Sequence, residues 1–453
     1  MMPLAPPYTI RALHHAFRHG DTTPSILTEQ ILARCADSPR GILTDVFDER
    51  ALREAAASTR RWQAGQPLGL FDGMPCVWKD LFDVAGSVTT AGSPAYRHRP
   101  PAAADAPLVA AFSRTGGVNI GKAGLSELAY SGLGINPAFG TPPNPFDKRR
   151  IPGGSSSGSA AAVRAGLCAF SMGSDTSGSI RIPSAFHHLT GYKPSRHRFN
   201  QRQVFPLSTT LDEVGPIAAG VQDCYDAANL LSGRESRLLQ GADWREISLL
   251  VPENAALWAD TEDAVRSAFQ VALQGLAAAG AAVCRADIPE FDAVMAAVAE
   301  HGTFAAAESL YFHREVLTGA DGRLIDQRVL DRMFRAKSMS ATDYVVLHDI
   351  RRRLQHSLWQ RYPHHIVLLP TVAVVPPLLA PLESDAAHYH RINLLVLRNT
   401  SLFNFLDAES LSLPIGFSAQ GLPVGLMLST APGQDERLFQ VARAAERLLA
   451  EAG

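Results

Sequence analysis

The chain has 453 residues, 46% of them hydrophobic and 19% charged, with a formal net charge of -2. This is the composition of a folded globular protein with enough apolar material for one large core, and it offers no whole-chain electrostatic basis for binding nucleic acid or an anionic membrane. Five widely separated cysteines without a C-x-x-C pair speak against a disulfide framework or a structural zinc site, and neither a signal-peptide core nor a charge-free apolar run of about 18 residues is present, so a soluble, cytoplasmic protein is expected.

Helical patterns come first. "TPSILTEQILARCAD", from Thr23, opens on Thr-Pro and repeats apolar residues every three to four positions, and "DERALREAAASTRRWQAG", from Asp48, does the same and stops at glycine. "MPCVWKDLFDV" reads as a buried strand ending at Trp78 or Lys79, and "ADAPLVAAFSRTGGVNIGKA" as helix, Gly-Gly turn and strand, the start of a βαβ-like alternation. Lys122, in "IGKAGLSE", reads as a loop lysine. From Gly132 to Gly158 the chain is dense in Gly, Pro and Asn and has no periodicity; a stretch of that length is functional or disordered.

It runs into "GGSSSGS", Gly153 to Ser159, followed by an Ala-rich helix and a second Gly/Ser cluster, Ser174 to Ser179. Four readings are open. A Gly/Ser run is ordinarily a flexible linker. A phosphate cradle needs G-K-[ST] at the end of the glycine loop, and here Gly158 is followed by Ser159 and Ala160. Gly154-Ser155-Ser156-Ser157-Gly158 fits G-x-S-x-G, the hydrolase nucleophile elbow centred on Ser156, but that turn follows an apolar strand and "NPFDKRRIP" is charged and proline-broken. The fourth reading joins both serine clusters to Lys79: a buried lysine of lowered pKa serves as base, and the backbone N–H groups of "GSDTSGS" make an oxyanion-hole donor set around Ser179.

Further on, "AGVQDCYDAANLLSG", "DTEDAVRSAFQVALQGLAAAG" and "ATDYVVLHDIRRRLQHSLWQRY" read as helices, and "ISLLVPE", "AAVCRADIP" and "HHIVLLPT" as strands. The tail is a strand, "GLPVGLMLST", then a helix, "DERLFQVARAAERLLAEAG". The adjacent His187 and His188 point in different directions and suit structural placement better than a metal site. Arg351 is a candidate carboxylate anchor or part of a solvated face, and Asn404 or Asp407 could reach a substrate cleft from an otherwise apolar stretch. The alternation of elements predicts an α/β fold with a large mixed, mostly parallel central sheet covered by helices on both faces. One domain over 1–453 is expected, with a core at 70–220 and a helical substrate-cleft region at 230–360.

The segment "GGSSSGSAAAVRAGLCAFSMGSDTSGSIRIPSAFHHLTGYKPS" closely resembles the signature of the amidase signature family, and "GMPCVWKDLFDVAG", "GKAGLSELAYSGLGINPAFGTPPNPFD", "TLDEVGPIA" and "GLPVGLMLS" resemble further segments of it. The resemblance covers the chain from about residue 25 onward. It implies a Ser–cis-Ser–Lys triad: Lys79 as base, Ser155 beside a non-proline cis peptide, and Ser179 as the acylated nucleophile, the two serines standing 24 residues apart as the family pattern requires. It further implies an oxyanion hole from the N–H groups of Thr176, Ser177, Gly178 and Ser179, and bracing of that loop by Asp175 and Arg181. Ser157 and Ser177 stand where the family has glycines.

The implied activity is hydrolysis of the C–N bond of a small-molecule amide, without metal or cofactor, by a protein needing no nucleic acid or membrane and able to form a homodimer. The glutaminase (A) subunit of a tRNA-dependent amidotransferase shares the signature and stays open as an alternative. The looser likeness of the middle and C-terminal parts to that subunit favours a stand-alone amidohydrolase.

Overall fold

The computed structural model describes residues 5–451. Its strands are β1 Leu43–Val46, β2 Pro75–Lys79, β3 Val118–Ala123, β4 Phe170–Asp175, β5 Thr190–Lys193, β6 Glu213–Ala218, β7 Ser248–Pro252, β8 Ala282–Ala286, β9 His365–Pro370, β10 Glu409–Phe417 and β11 Pro423–Thr430. They form one sheet in the order β1-β3-β2-β4-β6-β5-β10-β11-β9-β7-β8. The central strands β2, β3, β4 and β6 are buried along their whole length, as expected of a sheet covered on both faces.

The α/β fold around a large mixed sheet is as the sequence predicts, but the parallel majority is not. Only β2 with β3, β2 with β4, β7 with β8 and β7 with β9 pair in parallel; the remaining pairings are antiparallel. The parallel groups lie toward the two ends, where helices make the crossovers that parallel strands need: Pro107–Arg114 between β2 and β3, and Asp263–Ala278 between β7 and β8. The middle of the sheet is antiparallel, which an extrapolation from the βα alternation misses. Region 230–360 contributes β7 and β8 to this same sheet rather than standing apart.

The helices follow their local signals. Pro24–Ala36 starts with proline in its first turn and with the Thr23 hydroxyl accepting the Ile26 N–H. Asp48–Gln63 carries Asp48 and Glu49 in its first turn and Arg60 and Arg61 in its last, matching the helix dipole. Ala341–Arg361 is closed by a reciprocal capping box between Ser340 and Asp343. The short strand β1 and the helix Ile10–His19 have no counterpart in the sequence reading.

Residues 130–156 contain no helix or strand, yet they are neither a linker nor disordered. Buried asparagines take over the hydrogen bonding: Asn136 Nδ2 donates to the carbonyls of Gly92 and Leu125, both at 2.8 Å, and Asn144 Nδ2 to those of Ile151 and Phe186, both at 3.1 Å. No helix among the described residues is long and apolar enough to cross a membrane. All five cysteines are free thiols, and Cys284 alone is exposed.

Candidate active site

Strands β2 and β4 run in parallel with Trp78 opposite Met172, so their carboxyl ends, Lys79 and Ser174–Asp175, emerge together at the edge where open α/β sheets place their sites. Lys79 is fully buried. Its Nζ donates to Ser155 Oγ at 2.7 Å and to Ser174 Oγ at 2.8 Å. Burial brings its pKa down to about 7, against the opposing pull of Asp175 and Asp212. The lysine is therefore available as the neutral amine near neutral pH.

Ser155 follows a cis Gly154–Ser155 peptide, and its carbonyl accepts the N–H groups of Ser126 at 3.1 Å and Ser157 at 2.9 Å. The serine run is thus the reverse of a flexible linker. A Cβ on Gly158 would lie 2.4 Å from the Ile42 carbonyl oxygen and 2.5 Å from the Gly124 nitrogen, so the start of the helix Ser157–Arg164 fits only without a side chain there. Ser156 also departs from the elbow reading. No strand precedes it, and its hydroxyl donates to the Ser174 carbonyl at 3.2 Å instead of facing a base.

Ser179 sits in the turn between β4 and the helix Arg181–Phe186, and its carbonyl accepts the Ser156 N–H at 3.2 Å. That hydrogen bond brings the two serine clusters together. Asp175 braces the turn. Its carboxylate accepts from Gly178 N at 2.7 Å, Ile180 N at 3.1 Å, and the Arg181 guanidinium at 2.9 and 3.0 Å. Burial alone would raise its pKa, but Arg181 and Asn404 outweigh that and hold it well below the usual carboxylate range. Of the four N–H groups that the family resemblance implies for an oxyanion hole, that of Gly178 points at Asp175 and is already satisfied.

Thr176, Ser177 and Ser179 line a cavity of about 280 Å³. Its walls are mainly apolar, with Leu207, Val294, Phe304 and Leu397 among them, and Arg332 and Arg335 also face it. Several of these come from region 230–360. A second cavity of about 220 Å³ reaches Ser174 and Asp212.

Lys122 is a buried strand residue, not a loop lysine: it pairs with Asp80 at 3.2 Å and donates to Thr89 Oγ1 at 2.8 Å. His187 Nδ1 bonds the Pro183 carbonyl at 2.9 Å and His188 stacks on Phe417, so both are structural. Arg351 pairs with Asp407 at 3.3 Å, is not part of a solvated face, and lines neither of these two cavities. Asn404 does not line the cavity; its Oδ1 accepts from Arg181 at 2.5 Å and its Nδ2 donates to Asp175.

Three further residues complete the site. Ser174 is the second partner of Lys79; its only sequence signal is its position one residue before Asp175 on the neighbouring parallel strand. Thr400 Oγ1 donates to the Ser177 carbonyl at 2.6 Å. Asp212 Oδ1 accepts from Thr176 Oγ1 at 2.5 Å, and burial raises its pKa to about 6 despite donors from Thr176, Leu207 and Ser208. Thr400 lies far along the chain from the serine clusters and carries no local pattern, whereas Asp212 falls within "TLDEVGPIA", a segment that already resembles the family.

Residues 27–439 match the Amidase family model. The chain is 33% identical over 89% of its length to a 2-amino-5-chloromuconic acid deaminase of Comamonas testosteroni, of which it covers 87%. It is 30% identical over 97% of its length to one subunit of the glutamyl-tRNA(Gln) amidotransferase of Deinococcus radiodurans, and it covers 96% of that subunit. A crystal structure of an amidase superposes with a TM-score of 0.87 at 29% identity, covering 98% of this chain and 99% of the other.

Proposed function

The chain belongs to the amidase family and is a C–N hydrolase, and on that premise we propose that it cleaves the carboxamide bond of a small molecule through Lys79, Ser155 and Ser179. The observation that carries the reading is the buried Lys79, its pKa near 7, hydrogen-bonded at 2.7 Å to Ser155.

Neutral Lys79 takes the Ser155 hydroxyl proton while Ser155 takes that of Ser179. Ser179 Oγ then attacks the amide carbon, and the N–H groups of Thr176, Ser177 and Ser179 receive the oxyanion; each such donor is worth about 10²–10³ in rate. The proton held on Lys79 returns through Ser155 to the leaving nitrogen, the C–N bond breaks, and ammonia or an amine departs. Water adds to the acyl-enzyme, losing its proton along the same relay, and the acid leaves as Ser179 regains its hydrogen.

The likeness to a small-molecule deaminase supports the stand-alone hydrolase, and the cavity at Ser179 suits a substrate of that size. The similarity to the amidotransferase component supports glutamine hydrolysis within a larger assembly as a second reading. Peptide mass spectrometry after treatment with a fluorophosphonate tests the triad without assuming a substrate. One adduct on Ser179, greatly slowed in Lys79→Ala, is expected; an adduct on Ser156, or equal labelling of the variant, overturns it. Co-purification with other amidotransferase components and tRNA would favour the second reading.

A further inference from the structure

The cavity that holds Ser179 has a charged end with no countercharge. No Asp or Glu lines it, whereas Arg332, Arg335, Arg398 and His390 do. The Arg398 guanidinium is already used: it bonds Asn399 Oδ1 at 3.1 Å, Thr261 Oγ1 at 3.0 Å and the Ala259 carbonyl. Arg332 is different. Its Nη1 is buried without a hydrogen-bond partner, and among the described residues neither Arg332 nor Arg335 forms an ion pair. A buried guanidinium nitrogen left unpaired is unfavourable, and a carboxylate is its natural complement because two parallel N–H groups meet two oxygens.

Arg332 is also held in place. It stands on the helix Gln327–Phe334, with its guanidinium over the Tyr130 ring at 4.5 Å. The entry to that helix is tied to the Tyr130 segment, since Glu127 Oε2 accepts the Asp326 N–H at 2.8 Å. Between Glu127 and Tyr130, Leu128 and Ala129 both hold left-handed backbone, φ 53° and 57°, conformations that non-glycine residues keep only where surrounding structure enforces them. Tyr130 and Ser131 thereby face the cavity. His390 lies close enough to both arginines that, after burial, their charges are the next causes lowering its pKa.

We propose that Arg332, assisted by Arg335, binds a carboxylate carried by the part of the substrate remote from the scissile amide. The substrate class is then a monoamide of a dicarboxylic acid, or an amide of equivalent anionic character, with its apolar middle against the cavity wall. This rests on the amide-hydrolase reading of the same cavity.

The test compares succinamate, glutaramate and adipamate with hexanamide, by ammonia release with the wild-type protein and by calorimetric binding to Ser179→Ala. A preference of about tenfold to a hundredfold for at least one carboxylate-bearing amide is expected in both assays, the range for one charge-assisted hydrogen bond. In Arg332→Gln that ratio collapses through KM; in Arg332→Lys, which keeps the charge and tests that the variant fold is sound, it is partly restored. Equal turnover of hexanamide and the monoamides overturns the anion site and leaves the hydrolase standing. Carboxylate-selective binding, lost in Arg332→Gln but without ammonia release from any of them, keeps the anion site and overturns the hydrolase. A preference that survives in Arg332→Gln overturns the assignment to this residue.

Discussion

The Asp175 carboxylate and the Arg181 guanidinium meet in two hydrogen bonds, at 2.9 and 3.0 Å, with neither side chain reaching solvent. The same carboxylate holds the Gly178 N–H, so the pair fixes the turn carrying Ser179. Asp175→Asn leaves a buried guanidinium uncompensated and should lower unfolding free energy by about 3–5 kcal/mol, measured by denaturant titration. Because the folded-state pKa of Asp175 is depressed, its contribution is present above the ordinary carboxylate range and is lost as pH falls below it. A variant as stable as wild type at neutral pH would contradict this account.

Lys79→Ala should reduce amide turnover by about 10²–10⁴, the usual contribution of a positioned general base. The neighbouring hydroxyls of Ser155 and Ser174 remain, so circular dichroism should report an intact fold. Turnover within a few-fold of wild type would remove Lys79 from the mechanism.

With the Lys79 pKa near 7, kcat/KM should rise as pH increases through about 7 and then level. Asp212 is one of two carboxylates that hold this pKa up, so Asp212→Asn should shift the rising limb toward lower pH. A pH–rate profile of both proteins decides it; a shift toward higher pH would show that Asp212 acts otherwise.

Gly178 combines φ 129° with a tight contact. A Cβ there would lie 2.1 Å from Thr400 Oγ1 and 2.7 Å from Ile182 Cδ1. Gly178→Ala should lower turnover by about a hundredfold or more, since a displaced turn misaligns the oxyanion donors. Adding Thr400→Ala should recover only a small part of the loss, because the Oγ1 obstacle is gone while the residue-400 Cβ, 2.6 Å away, and the backbone strain persist. Full activity in the single variant would show that the turn tolerates a side chain.

How much of this is legible in sequence depends on how local the determinant is. The helices from Pro24 and Ala341 are written in their caps, and β2, β3, β7, β9 and β11 in short apolar runs. The antiparallel centre of the sheet is not, because pairings such as β4 with β6 depend on where the chain returns. At the site, Ser155 and Ser179 stand in one long recognisable segment and Lys79 in a shorter separate one. Thr400 is a single polar residue whose role arises only when distant stretches meet, Asp212 lies in a recognisable segment that does not reveal its contact with Thr176, and Ser174 is masked by the serines around it. The Gly178 N–H shows the same limit on the scale of one bond: the composition of the turn reveals how many donors it has but not which way each one points.

The candidate reacting groups and most of the cavity wall, Ala129, Tyr130, Ser131, Thr176 and Ser177 excepted, are also divided along the chain. Lys79, Ser155 and Ser179 all precede residue 180, while Val294, Phe304, Arg332 and Leu397 follow it. A chimera that exchanges residues 289–340 for the matching stretch of another amidase is therefore expected to change substrate preference while leaving the proposed relay of Lys79, Ser155 and Ser179 in place.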